Sequence, residues 1–138
     1  MIRQVIGDTS AIVSVLRQNE RYHDWAVDVL RSVPKPIVTC EAVITESCFL
    51  LGGHRSGEKA VLDRIAEGII QIDFSLSAQI DRVIELMSKY GDMPMSLADA
   101  CLVRMSELME MSAVFTHDTD FLVYRKNGRQ KIPLLIPE

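Results

Sequence analysis

The 138-residue chain predicts a three-layer α/β/α domain with a mainly parallel central sheet. Two features lead there. Short apolar segments alternate with longer stretches of helical periodicity, and capping or breaking residues bound the segments. Strands separated by helices pair in parallel, with helices covering both faces of the sheet. No repeat, low-complexity tract or linker interrupts the pattern, so residues 1–138 read as one domain.

Each element has a local reason. Residues 2–7 form a short, mainly apolar strand, and Asp8-Thr9-Ser10 after it offers side chains that cap free helix amides. Helical patterning covers residues 11–17 and 22–32 and stops at Pro34 and Pro36. Residues 37–39 are a strand, followed by a helix over 41–51 that Gly52-Gly53 terminates. Residues 56–67 are amphipathic and helical, Gly68 breaks them, and 69–74 read as a strand. Two further helices, over 76–90 and 97–110, are separated by Gly91 and Pro94. Strands over 112–116 and 132–136 complete the sheet.

Composition narrows the class. Apolar residues make up 48% and charged residues 25%, an ordinary globular balance that excludes disorder. The net charge of −4 argues against non-specific duplex binding by charge alone. It suits a nuclease only if carboxylates converge on a cation. Cys40, Cys48 and Cys101 sit in apolar runs without a C-x-x-C pair, so they read as reduced thiols of a cytoplasmic protein. The N-terminus resembles no secretion signal, and no apolar run approaches membrane-spanning length.

The acidic residues carry the chemistry. In a parallel sheet, ligands bind beyond the carboxyl ends of the strands. Asp8 follows the first strand, and His117-Asp118-Thr119-Asp120 follows the strand over 112–116, so both clusters belong to one sheet edge. Glu46 has Ala42, Val43, Phe49 and Leu50 three and four positions away, an apolar helix face without a Lys or Arg partner. A carboxylate there is partnered from elsewhere, protonated or bound to a cation. Asp99 occupies the first turn of its helix with Ser96 as N-cap, off a core stripe of Leu97, Cys101, Met105 and Leu108.

Every one of these acids also has a structural explanation. Asp8 and Asp99 fit helix caps, Asp118 and Asp120 fit an Asx-turn, and Glu46 fits an unseen Arg partner or partial exposure at its helix end. Their coincidence is harder to explain structurally. Oxygen-only ligands specify a hard cation, Mg²⁺ or Mn²⁺, which activates water and stabilises charge on a phosphate under attack.

Four motifs then resemble those of PIN-domain nucleases, in order, spacing and chain length, over nearly the whole chain. Asp8-Thr9-Ser10-Ala11 after an apolar strand resembles the opening motif, and Thr45-Glu46 within 43–51 the second. Leu97-Ala98-Asp99-Ala100 resembles the third, and Phe115-Thr116-His117-Asp118-Thr119-Asp120-Phe121 the fourth. The chain is similar in size to the single-domain VapC-like toxins of toxin–antitoxin pairs. This resemblance implies a PIN-like fold and an Mg²⁺- or Mn²⁺-dependent endoribonuclease, usually a homodimer, held inactive by a small antitoxin protein. By motif match, Asp8, Glu46, Asp99 and Asp118 are the metal-binding and catalytic acids, with Asp120 as a fifth ligand. Thr9 and Thr116 would orient carboxylates or water.

In this reading, water activated beside the cation attacks an RNA phosphodiester in line. Asp8, Asp99 and Asp118 hold the ion, while Glu46 positions the water or accepts its proton. His117 should point away from Asp118 if the strand continues, leaving it, like His23 and His54, at the surface. Arg125, Lys126, Arg129 and Lys131, displayed on a hairpin turned by Asn127-Gly128 and adjoined by Tyr124, are either the candidate RNA contacts or a solvated loop that keeps the protein soluble. His54-Arg55 and Lys59 form a weaker second basic patch. Tyr22 and Trp25 read as core or interface, and Met105, Met109 and Met111 as core or dimer surface.

Three other readings compete. A nuclease that processes RNA without a toxic role shares all these residues. A PIN-like module that binds RNA or protein without cutting has no need of four converging acids. A phosphatase expects an Asp-x-Asp after the first strand, where Asp8-Thr9-Ser10 stands, and a receiver domain a Lys after a late strand, where none is well placed.

Overall fold

A computed structural model describes residues 1–52 and 55–138; Gly53, His54 and the side chain of Arg55 lie outside the described residues. The central sheet has five parallel strands in the order β3 (Ile70–Ile72), β2 (Ile37–Thr39), β1 (Gln4–Gly7), β4 (Ser112–Phe115) and β7 (Leu134–Leu135). Alternation along the strands assigns the two faces. Ile6, Val38 and Val114 join one core, with α3 (Glu41–Leu50), α5 (Ile80–Lys89) and α6 (Leu97–Leu108). Val5, Ile37 and Phe115 join the other, against Ala11 of α1 (Thr9–Leu16) and Ala26 of α2 (His23–Ser32). The expected three-layer α/β/α arrangement is therefore present.

Several boundaries moved, each for a local reason. The first helix begins at Thr9 because Asp8 itself is the N-cap. The helix expected from residue 76 begins at Ile80. Ser75 captures the Ala78 amide with its hydroxyl and forms a separate turn. The last strand shortens to Leu134–Leu135, after Pro133 contributes only its carbonyl, to the Val114 amide. The stripe on α6 was misjudged: Leu97 and Leu108 are exposed, while Ala98 to Val103, Met105 and Ser106 are buried. This helix packs on β1, β4, α3 and α5, so nearly its whole circumference is covered.

Going along the chain, β2 and β3 are laid down on one side of β1 and β4 and β7 on the other. The strand order reverses between β1 and β4, and a crevice opens beyond their carboxyl ends at such a point. Gly7 ends β1 where a Cβ would meet Ile37 Cγ2 at 2.8 Å, so the close approach of β2 requires glycine just before Asp8.

Candidate metal centre

Asp8 leaves β1 directly into that crevice. Its backbone amide donates to the Phe115 carbonyl of β4 at 3.0 Å, and its carboxylate caps α1 by accepting from Thr9 N at 2.8 Å. Oδ2 accepts from Thr116 Oγ1 at 2.6 Å and from Ser10 Oγ at 3.0 Å. The two hydroxyls also tie down the next motif: Thr116 Oγ1 accepts from the Asp118 amide at 2.9 Å, and Ser10 Oγ from the His117 amide at 3.1 Å. Burial pushes the Asp8 carboxyl up to about 6. The Thr116 and Ser10 bonds oppose that shift, and the negative charges of Asp99 and Asp118 add to it.

Asp99 arrives from the first turn of α6, where Ser96 Oγ accepts from the Asp99 amide at 3.0 Å. It is a buried carboxylate, 8% exposed. Its Oδ2 accepts from the hydroxyl of Tyr124 at 2.9 Å. Burial raises the Asp99 carboxyl above its ordinary range; the Tyr124 bond pulls it down, and the charge of Asp118 pushes it further up. Asp118 caps the 3-10 turn Thr119–Leu122, accepting the Asp120 amide on Oδ1 at 2.9 Å. The turn delivers both Asp118 and Asp120 to Asp99: one carboxylate oxygen of each lies within 4.8 Å of the others.

These acids line a cleft of about 420 Å³, into which Glu20, Glu46, Arg17 and His117 also face. Asp8 and Glu46 stand in it outside the tight trio. Asp120, which ranked fifth among the candidate acids from sequence, is inside it. Of the two readings open for Glu46, partial exposure holds: Val43 is buried and Ala42 packs on the core, but Phe49 is 81% exposed, Leu50 is 46% exposed, and Glu46 is itself exposed at the lip of the cleft. Among the described residues no salt bridge involves Asp8, Glu46, Asp99, Asp118 or Asp120.

Other expectations also change. The strand ends at Phe115, so alternation no longer applies to His117, and both His117 and Asp118 line the cleft. The His117 ring packs on Tyr22 with centroids 4.7 Å apart. Trp25 packs on Phe115 as part of the core, while His23 bonds the Ser14 carbonyl. Thr9 contributes through its amide, because its buried hydroxyl finds no hydrogen-bond partner among the described residues. The hydroxyl bonded to Asp8 beside that of Thr116 belongs to Ser10.

The basic hairpin forms, with β5 (Arg125–Lys126) pairing antiparallel to β6 (Gln130–Lys131) and both Asn127 and Gly128 at positive φ. None of its four basic residues lines the acidic cleft. Arg125 is turned back on the carbonyls of Leu122, Val123 and Tyr124, while Arg129 and Lys131 are exposed. Lys59 is paired with Asp63 at 2.7 Å. Tyr124 is fully buried, so it offers no stacking surface. Only its partner across 25 residues of sequence reveals its place in the site, and no local signal marks it.

The donor set fits a hard divalent cation. It is oxygen-only, and no Lys or Arg among the described residues neutralises it at ion-pair distance.

Comparison with known proteins identifies the family and the fold. Residues 5–127 match the family described as PIN domain. The fold is similar to Mycobacterium tuberculosis VapC20, described as a sarcin-ricin loop cleaving toxin. The TM-score is 0.76 and the identity 18%, over 85% of this chain and 92% of that one. It is also similar to FitAcB from Neisseria gonorrhoeae, with a TM-score of 0.56 and 16% identity over 84% and 88% of the two chains. No curated protein matches the sequence.

Proposed function

The chain belongs to the PIN domain family, and on that premise we propose that it is a metal-dependent endoribonuclease acting as the toxin of a toxin–antitoxin pair. The single observation that carries the nuclease reading is the meeting of Asp99, Asp118 and Asp120 without a counter-charge among the described residues. Three carboxylates this close repel one another, and a bound cation is the simplest way to stabilise them. The toxin role draws support from the likeness in fold to VapC20 and FitAcB.

Asp99, Asp118 and Asp120 would hold Mg²⁺ or Mn²⁺, with Asp8 beside them. The ion would lower the pKa of a bound water and neutralise charge building up on the phosphate. Asp8 is held by three hydrogen bonds, so it strengthens the negative field around the ion without reorganising. Glu46, exposed at the lip, is free to orient the attacking water and accept its proton. Thr116 and Ser10 keep Asp8 and Asp118 in register.

The substrate is RNA, with Arg129 and Lys131 as backbone contacts outside the cleft. A small antitoxin protein would inhibit the enzyme and a homodimer would be its assembly. Exposed apolar side chains such as Phe49, Leu62 and Ile84 offer area for contacts with other chains. The free thiols of Cys40, Cys48 and Cys101 suit a cytoplasmic site of action. Among the described residues no helix is long and apolar enough to cross a membrane.

The test is incubation of the purified chain with structured RNAs in Mn²⁺, Mg²⁺ or chelator, beside Asp99→Asn. Cleavage that needs the ion and is lost in the variant supports the reading. Cleavage indifferent to both overturns it.

A further inference from the structure

We propose that Tyr124 is a positioning residue for the metal centre, its buried hydroxyl fixing Asp99 in the orientation that a cation requires. This inference rests on the metal-centre reading above.

The geometry is unusually constrained for a residue without a charge. Tyr124 is fully buried, and its hydroxyl donates to Asp99 Oδ2 at 2.9 Å. The ring is held edge-on by two neighbours. Phe121 lies 5.2 Å away at 86° and Tyr90 5.1 Å away at 68°. The backbone beneath the ring is tied on its far side as well. The Arg125 amide donates to the Tyr90 hydroxyl at 2.9 Å, and Arg125 Nη1 bonds the carbonyls of Leu122, Val123 and Tyr124. The phenol therefore reaches Asp99 from a fixed platform.

One short segment thus does two things. Asp118 and Asp120 supply carboxylates from its start, and Tyr124 at its end holds the third carboxylate, which comes from α6. A bond to one oxygen of a carboxylate restricts rotation of the group while leaving lone pairs for an ion. Partners of this kind typically set metal affinity by about 10–100-fold. The plainer alternative is that the tyrosine only satisfies its own hydroxyl in the core. That alternative predicts an effect on stability and none on the ion.

The experiment measures Mn²⁺ affinity of the full RNA-free chain, by the free-ion electron paramagnetic resonance signal and by calorimetry. Tyr124→Phe keeps the ring and loses the hydroxyl. It should bind Mn²⁺ about 10–100-fold more weakly while keeping its circular dichroism spectrum. Ser106→Ala removes a buried hydroxyl from α6 that bonds the Val103 carbonyl and not Asp99, and should bind as the wild type does. In an Asp99→Asn background, adding Tyr124→Phe should change Mn²⁺ affinity no further.

Wild-type affinity in Tyr124→Phe overturns the inference, as does equal weakening by Ser106→Ala, and both leave the metal centre standing. A wild-type chain that binds no Mn²⁺ is a different result: it removes the metal-centre reading itself.

Discussion

Thr116 donates its hydroxyl to Asp8 Oδ2 at 2.6 Å, joining residues 108 positions apart at the carboxyl ends of the two central strands. Thr116 Oγ1 in turn accepts from the Asp118 amide, so one threonine sets the spacing of two acids. Thr116→Val keeps the shape and leaves a buried acceptor and a partly buried donor without this partner. We expect a loss of about 1–3 kcal/mol in urea unfolding, whereas Thr116→Ser should stay close to wild type. Equal stability of the valine and serine variants would remove this role.

The buried Asp8 makes the metal-free chain pH-sensitive. Its carboxyl titrates at about 6 in the fold and near 3.8 when unfolded, so between those values the folded state holds a proton that the unfolded chain releases. Stability therefore falls as pH rises through this window and levels off above about 6. Full charging of Asp8 opposes the fold by on the order of 3 kcal/mol. Asp99, also raised by burial, acts in the same direction. Urea unfolding in chelator from pH 4.5 to 7.5 should show the decline, and Asp8→Asn should flatten it. Bound Mn²⁺ should oppose the decline, since ion binding favours the charged acids.

Position in the cleft separates the acids. Asp118→Asn removes a member of the tight trio and should weaken Mn²⁺ binding at least about tenfold. Glu46→Gln, at the exposed lip, should leave Mn²⁺ affinity near wild type while slowing cleavage. Calorimetry and a single-turnover cleavage assay read the two effects independently. If Glu46→Gln loses the ion as Asp118→Asn does, Glu46 belongs among the ligands.

Glu107 provides a contrast, as a buried acid that is neutralised. Its side chain is 2% exposed and takes two bonds from Arg82, one from Arg104 and one from the Asn127 amide. Burial would raise its carboxyl, yet these partners hold it below the ordinary range. Glu107→Gln should cost about 2–3 kcal/mol, less than a wholly buried pair because both arginines are partly exposed. Hydrogen exchange should rise in the hairpin over residues 125–131. Unchanged Mn²⁺ affinity would separate this network from the metal site.

The hairpin has its own test as an RNA contact. Replacing Arg129 and Lys131 together by Ala should reduce the slope of log affinity against log salt by up to ~1.4 for single-stranded RNA. An unchanged slope would make the hairpin a solvated loop.

The sequence made the sheet legible because its strands are short apolar runs with clear breakers, and Asp8 and Asp118 could be put on one edge by strand order alone. The trio was less legible. Asp120 enters it because a 3-10 turn follows Asp118, and turn geometry is not encoded in spacing. Glu46 stays open between burial and exposure in the sequence, because apolar neighbours do not guarantee burial: Val43 is buried while Phe49 and Leu50 are exposed. Tyr124 was hidden for a different reason. Its partner Asp99 lies on α6, 25 residues earlier, and the basic residues after Tyr124 suggest exposure.

The most direct test of the account is a crystal of the chain soaked in Mn²⁺, with anomalous diffraction recorded at the manganese edge. The account predicts a peak bounded by carboxylate oxygens of Asp99, Asp118 and Asp120, absent from Asp99→Asn crystals treated identically. A soaked crystal with no peak there, or with the manganese held at another surface, would contradict it.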